Sequence, residues 1–334
     1  MTESGVSNQS ANDRFTKVLQ NRSLEFYKAT VSSGCQEMKG ENIMRKQILS
    51  AVLAAVALLT FAGCNQSTES FDKTNSITVI TREAGSGTRD AFIELTGVQS
   101  KDADGNKVDN TTKEAVTIDA TQGVMSNVAG NPYAIGYISL GSLNESVKAL
   151  KFDGTVGSAG AVKDGSYKLS RPFNIATKTE GVSELAQDFI KYILSADGQK
   201  VIEDNGYIAV SEAPAYSGSK PSGKLVIAGS SSVSPVMEKL KEAYKAINSG
   251  ADIQIQTNDS SSGMTAAKEG TCDIGMASRE LKDSEKEALT GVKIAMDGIV
   301  VVVNKSNPAE NLTQSQVKSI FTGETTTWES LIQE

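Results

Sequence analysis

Three stretches of the chain combine residue types suited to holding a small oxyanion: TREAGSGTRDAF, AGSSSVSPVMEKL and TNDSSSGMTAAKE. In each, an apolar strand-like run passes into a loop of Ser, Thr and Gly, and the loop opens a helical pattern. The first loop carries Gly85, Ser86, Gly87 and Thr88, the second Gly229 to Ser232, and the third Ser260, Ser261, Ser262 and Gly263. The start of a helix leaves backbone N–H groups without intrahelical partners, and the aligned peptide dipoles make that end partly positive. Glycine lets a ligand approach the backbone closely, and hydroxyls add donors, so phosphate or sulfate fits such a place. Arg82, four residues before Ser86, adds a guanidinium that can grip an oxyanion with two parallel donors. One such loop is no more than a helix cap. Three, each richer in hydroxyls than capping requires, make a candidate cradle.

The elements that must position these loops alternate along the chain. β-branched runs predict strands at 77–81, 134–139, 173–177, 224–228, 252–257, 273–277 and 298–304. Helical patterns fall at 90–95, 122–129, 182–194, 235–247, 264–268, 283–289 and 313–321. Strand-then-helix alternation indicates an α/β architecture with mainly parallel sheets. Leu185, Phe189 and Ile193, four residues apart, give the 182–194 helix one apolar face. Ser234 followed by Pro235 reads as N-cap and first helical residue. The Pro- and Gly-containing stretch Glu212–Gly223 reads as a linker. The stretch 102–109 (DADGNKVD) has part of a calcium-loop pattern but lacks its twelve-residue spacing and terminal Glu, and reads as a solvated turn.

Composition narrows the chemistry. The chain has 334 residues, enough for two lobes, with 33 Lys and Arg against 40 Asp and Glu, a net charge of −7. An acidic chain argues against nucleic acid as a partner. The absence of histidine removes His-based acid–base catalysis, Ser-His-Asp and Cys-His arrangements and His-containing metal sites. Cys35, Cys64 and Cys272 cannot build a disulfide framework or a four-Cys zinc site, so neither metal nor cofactor is expected. Ser315 and Lys318 match S-x-x-K, but the partner motifs S-D-N and K-T-G are absent and the stretch reads as a helix face, so the chain is not read as an enzyme. Cys272 reads as a small buried hydrophobe.

The N-terminal part reads as an address. Met44-Arg45-Lys46 precedes an apolar run from Ile48 to Phe61, too short for a comfortable membrane span and of the length of an export signal's core. The run ends in Phe61-Ala62-Gly63-Cys64, which resembles the lipobox of bacterial lipoproteins, with Phe61 where Leu is usual. The alternatives are an ordinary secretory signal or a buried apolar helix. On the lipoprotein reading, residues 1–43 are a non-native extension upstream of a start at Met44, 44–63 are the signal peptide, Cys64 is lipidated, and 64–75 are a polar tether. Residues 64–334 then hold 26 basic and 35 acidic residues, net −9.

The three loops, with NPYAIGYISLGSL, KLSRPFNIATK, AQDFIKYILSADGQKVIEDNGY and NLTQSQVKSIFTGETTTWESL, resemble the substrate-binding lipoprotein of bacterial phosphate ABC transporters over nearly all of residues 76–334. The resemblance implies an α/β, two-lobed periplasmic-binding-protein fold of type II, with a ligand cleft between lobes joined by two hinge strands. It places one lobe at 76–171 and 298–334 and the other at 172–297, with crossings at Phe173–Thr177 and Gly298–Val303. It implies phosphate contacts at Arg82, Ser86, Gly87, Thr88, Ser231, Ser232, Ser261, Ser262 and Gly263. Some relatives carry an Asp after the Gly-Ala-Ser segment, as acceptor for the proton of monohydrogen phosphate. Here the segment reads Ala277-Ser278-Arg279, which brings Ser278 and Arg279 into the candidate site and leaves selectivity over sulfate open. The implied function is a lipid-anchored monomer on the outer face of the cytoplasmic membrane that hands phosphate to permease subunits. Binding of sulfate or another tetrahedral oxyanion, and phosphate sensing or adhesion on the same fold, are the alternatives.

The segment order is unusual for that family. The REAGSGTRDAF segment precedes GSSSVSPV here, whereas the family runs the other way. The order fits a circular permutation, with the old end near Val210 joined through Glu212–Gly223 to the old start and a new cut after Trp328; a chimera from tandem gene copies or from assembly error is the alternative.

Overall fold

A computed structural model describes residues 70–332. The expected extension at 1–43, the signal at 44–63 and Cys64 lie outside the described residues. Elements run in the order β1 (Thr78–Arg82), α1 (Gly87–Thr96), β2 (Gln99–Lys101), β3 (Lys107–Asp109), β4 (Val116–Ile118), α2 (Thr121–Gly130), β5 (Ala134–Ser139), a 3-10 turn (Leu140–Ser142), β6 (Lys148–Ala149), β7 (Lys151–Phe152), α3 (Ala159–Lys163) and β8 (Ser170–Lys178). They continue with α4 (Glu184–Leu194), α5 (Ala196–Asp204), β9 (Gly223–Ser230), α6 (Ser234–Ile247), β10 (Ala251–Asn258), α7 (Ser260–Glu269), β11 (Ile274–Ala277), α8 (Asp283–Lys286), β12 (Leu289–Val303), β13 (Asn311–Leu312) and α9 (Gln314–Phe321).

One nine-stranded sheet runs β10-β9-β11-β8-β12-β5-β1-β4, with β6 added on β12. β1 pairs in parallel with β4 and β5, and β9 with β10 and β11. The two ends of the sheet are therefore parallel, as the strand–helix alternation requires. β8 and β12 lie antiparallel in the middle and stitch these ends together. β12 is 15 residues long, and its halves serve different cores. Ile294 and Ala295 pack with Phe173, Phe189, Val236 and Tyr244, whereas Ile299 to Val303 pack with Phe92, Tyr137, Phe321 and Trp328. The changeover between cores falls at 170–172 on β8 and 296–298 on β12. It lies just before the expected crossings, because the apolar residues of 173–177 and 299–303 each belong to one side of the changeover, while the crossing segments hold the buried polar Arg171 and Asp297 beside Pro172, Met296 and Gly298.

All seven expected strands and all seven expected helices form, with shifted ends. The first half of β12 and the short β2, β3, β4, β6, β7 and β13 carry no long β-branched run and escaped the pattern, as did α3 and α5. The 283–289 helix stops at Lys286, and Leu289 begins β12. Leu185, Phe189 and Ile193 are all buried.

The stretch at 102–109 holds the turn between β2 and β3, where the Asp102 carboxylate accepts from the backbone N–H groups of Asp104 and Asn106. Ser315 and Lys318 are exposed on α9. Cys272 sits in a small cluster with Ala176, Met264 and Leu281, and burial pushes its thiol up to about 11. Two segments read as flexible connections are tied down. Phe71, in the expected tether, lies 4.9 Å from the Tyr133 ring. In the 212–223 stretch, the Tyr216 hydroxyl and the Ser219 N–H both donate to Asp188 of α4, and Asn248 reaches Pro221 O. The composition of that stretch signals turns, but Tyr216 supplies an anchor that composition alone does not reveal.

Candidate functional site

Four helix N-termini meet where the two halves of the sheet face each other. Three belong to the Ser/Gly loops, and the fourth is that of α2. The helices begin earlier than the pattern predicts. Ser86 is the N-cap of α1, so Gly87 and Thr88 lie in its first turn. Asp259 caps α7, which places Ser260 to Gly263 inside the helix. In α6 the cap is Val233, and Ser234 is already helical, its hydroxyl donating to Ser230 O instead of capping. Low helix propensity of Ser and Gly hides first-turn residues that packing and capping hold helical.

The hydroxyls form one buried network across the cleft. Thr88 Oγ1 lies 2.8 Å from Ser232 Oγ. Thr121 Oγ1, at the start of α2, lies 3.2 Å from Ser232 Oγ and 3.4 Å from Ser231 Oγ. Ser230 Oγ donates to Ser278 Oγ at 2.9 Å, and the Ser278 N–H donates to Ser260 Oγ at 3.1 Å. The turns touch as closely as their side chains allow. A Cβ on Gly87 would stand 2.5 Å from Ser260 Oγ and 2.9 Å from Ser278 Oγ, and Ser261 N–H donates to Gly85 O across the same seam. Glycine is required at 87 for this approach, and at 85 also for its φ of +93°.

Arg82 enters this network from the end of β1 and is 2% exposed. Its Nε and Nη2 donate to the two carboxylate oxygens of Glu83 at 2.7 Å each. Ile118 O and Asp119 O accept from the same edge. The other edge faces hydroxyls: Nη2 lies 3.1 Å from Ser231 Oγ, and the sole partner of Nη1 among the described residues is Thr121 Oγ1 at 3.4 Å. A guanidinium carries five donors, and the two-donor Nη1 is the least satisfied here. An anion displacing the neutral hydroxyls would gain charge-assisted bonds from that edge.

Of the predicted residues, the structure gathers Arg82, Ser86, Gly87, Thr88, Ser231, Ser232, Ser261 and Ser278 around one place. Ser262 is exposed and hydrogen-bonds the Asp259 carboxylate. Gly263 faces away from the cleft, and a Cβ there would meet Gly229 Cα at 2.5 Å, so it serves the packing of α7 on β9. Arg279 stands at the rim, engaged by carboxylates. Ser230 and Ser260 lie in the expected loops but not among the expected contacts, and Thr121 and Glu83 are missed altogether. Thr121 escaped because α2 has Ala120 as N-cap and no side-chain cap, so no Ser, Asn or Asp marks the start. Its signal is a polar Thr opening an otherwise small and apolar helix.

Beneath the site, at the changeover, Arg171 Nη2 meets Asp297 Oδ2 at 3.2 Å, and both are almost fully buried. Arg171 Nη1 donates to Ser278 O, and Asp297 accepts from the Gly141 N–H. Burial pushes Asp297 up and Arg171 down from their ordinary values, and their pairing opposes both. The pair ties β8, β12, the loop after β11 and the turn after β5 into one floor.

A cleft of this kind between two α/β lobes defines a class, and the comparisons agree. A family model described as a PBP superfamily domain matches residues 44–197 and 214–333. The chain is 52% identical over 294 residues to phosphate-binding protein PstS 2 of Streptococcus agalactiae serotype V, covering 86% of this chain and 99% of that one. It is 50% identical over 284 residues to phosphate-binding protein PstS 2 of Streptococcus pneumoniae serotype 4, covering 84% and 97%. A crystal structure of a phosphate-binding protein of a phosphate ABC transporter from S. pneumoniae TIGR4 superposes with a TM-score of 0.62 at 51% identity, over 77% of this chain and 100% of that one. The chain belongs to the PBP superfamily, and within it to the family of PstS phosphate-binding proteins.

Proposed function

We propose that the chain is an extracytoplasmic receptor that captures inorganic phosphate between its lobes and delivers it to the permease of an ABC transporter. The observation that carries this reading is the under-satisfied edge of Arg82, aimed into a buried ring of hydroxyls at four helix N-termini. The names of the relatives supply the anion, and the cleft supplies the means: neutral donors, one guanidinium and no group placed to break a bond. The relatives are phosphate-binding proteins, and the chain is read with them as a binder and not an enzyme. Phosphate contacts fall on Arg82, Ser86, Gly87, Thr88, Ser231, Ser232 and Ser261, joined by Thr121. The protein works as a monomer tethered through lipidated Cys64 to the outer face of the membrane.

The lobes are residues 76–171 with 298–334, and 172–297, a division supported by the two separate hydrophobic cores. The permuted order is supported by the closeness of the body's ends. Ser76 and Thr327 form a β-bridge, and Ile77 N–H donates to Thr326 O at 2.7 Å, so a bond between old neighbours could be cut there with little disturbance. The S. agalactiae relative is matched over 99% of its length, which favours a shared segment order over a chimera.

Sulfate is a second reading, favoured by one observation. Where a free carboxylate would reject a fully ionised anion, Arg279 stands instead, and Glu83 is already held by Arg82. Calorimetric titration with phosphate and with sulfate between pH 5 and 9 separates the two. Saturable phosphate binding with sulfate at least tenfold weaker is expected; equal affinities would favour a general oxyanion receptor, and no phosphate binding would sink the proposal.

A further inference from the structure

We propose that Arg279 and Asp90 form a latch that holds the lobes shut over the anion, so that Arg279 governs ligand release as a positioning residue without touching the ligand. The inference rests on the receptor reading above. Arg279 follows β11 in one lobe; Asp90 lies in the first turn of α1 in the other. The guanidinium's Nη donors are taken by hydrogen bonds, and its Nε faces a carboxylate in an ion pair. Nη1 and Nη2 donate to the two carboxylate oxygens of Glu285 at 2.8 Å each. Nη1 also donates to Glu280 O at 3.0 Å, and Nη2 to Ser261 Oγ at 3.2 Å. Nε faces Asp90 Oδ2 at 3.1 Å, and Lys282 Nζ stands 3.7 Å from the same oxygen.

The division of labour follows from which lobe each partner occupies. Glu285 is in the same lobe as Arg279, and it also accepts from the Lys282 N–H, so it fixes the guanidinium whether the cleft is open or shut. Asp90 is across the seam. Asp90 Oδ2 and Arg279 Nε are both buried and neither has a hydrogen-bond partner among the described residues, so the 3.1 Å ion pair between them, with Lys282 Nζ at 3.7 Å, is what compensates them here. Opening would return both to water. The Arg279 side chain also lies over the anion turn, its Cγ 3.0 Å from where a Cβ on Gly87 would stand. The residue standing where some relatives place a ligand-binding Asp thus closes the cleft from outside.

The test measures phosphate association and dissociation by stopped flow on the protein and on Asp90→Asn, Arg279→Gln and the double variant. Asp90→Asn is expected to raise the dissociation rate about fivefold, with the association rate and the Tm of the ligand-free protein unchanged. Asp90→Asn is expected to speed release less in the Arg279→Gln background than in the wild type, since only the longer Lys282 contact to Asp90 then remains to be lost. In the wild type, 0.5 M salt is expected to speed release, and in Asp90→Asn to have no such effect. An unchanged dissociation rate in Asp90→Asn, or additive effects in the double variant, overturns the latch. If the wild-type protein binds no phosphate, the receptor reading fails separately, and the same rate comparison with sulfate decides the latch.

Discussion

Arg82 and Arg279 are both nearly buried, both meet a carboxylate through two bonds, and both touch a serine of the cleft. They differ in what faces their remaining donors. Arg82 turns its second edge to the hydroxyls of Thr121 and Ser231, which an anion can outbid. Arg279 turns its remaining donors to Ser261, Glu280 O and a second carboxylate, which phosphate cannot displace without leaving Asp90 only its longer contact to Lys282. On the proposed reading, these two nearly buried arginines play opposite parts toward an anion. The count of satisfied donors separates them, where residue type does not.

The comparison breaks most readily at Arg82. Arg82→Ala removes the charge-assisted edge, worth about 1.5–3 kcal/mol, and is expected to weaken phosphate binding by at least tenfold in a calorimetric titration. It also leaves Glu83 beside the anion with no cation, so the loss belongs at the upper end of that range. An affinity within twofold of the wild type would remove Arg82 from the site.

Gly87→Ala tests whether the cleft closes as tightly as the turn suggests. The added Cβ would meet two buried hydroxyls from across the cleft, a clash that opening of the lobes is expected to relieve. Overpacking costs about 1–3 kcal/mol, which here falls on the closed state alone, so roughly tenfold weaker binding is expected. Without phosphate, the Tm should hold or rise slightly, since Ala is the better helix residue. A lower Tm without ligand would mean that the contact belongs to the fold and not to closure.

Much of this was legible in the residues, and what was not has identifiable causes. Strand–helix alternation gave the α/β class, because a strand buried on both faces, such as Ile299 to Val303, is a continuous β-branched run. The three Ser/Gly loops were visible because their helices begin with side chains that hydrogen-bond backbone. Thr121 was not, because α2 begins without a cap. The different surroundings of Arg82 and Arg279 could not be read from sequence, since Asp90 lies 189 positions from Arg279 and is brought to it only by the tertiary fold. The strap at 212–223 was hidden for the same reason, as Tyr216 finds Asp188 through the packing of α4 against α6.

The smallest expected effect concerns Glu285, which orients Arg279 from within its own lobe. Burial opposes the Glu285 charge, but the Arg279 guanidinium and the Lys282 N–H overcome it and hold the carboxyl below its ordinary value. For a carboxylate shifted this way, stability is fully present above the unfolded pKa of about 4.3 and is lost as pH falls through the lower folded value. Glu285→Gln should therefore flatten the decline of Tm below about pH 4.3 and lower Tm by a constant amount between pH 5 and 8. Phosphate affinity at neutral pH should fall about twofold, far less than in Arg82→Ala, because Gln can still accept one bond from Arg279 and the latch keeps its aim. If Glu285→Gln instead matched Arg82→Ala in affinity, Arg279 would be reaching the anion, and the two arginines would be partners in one site.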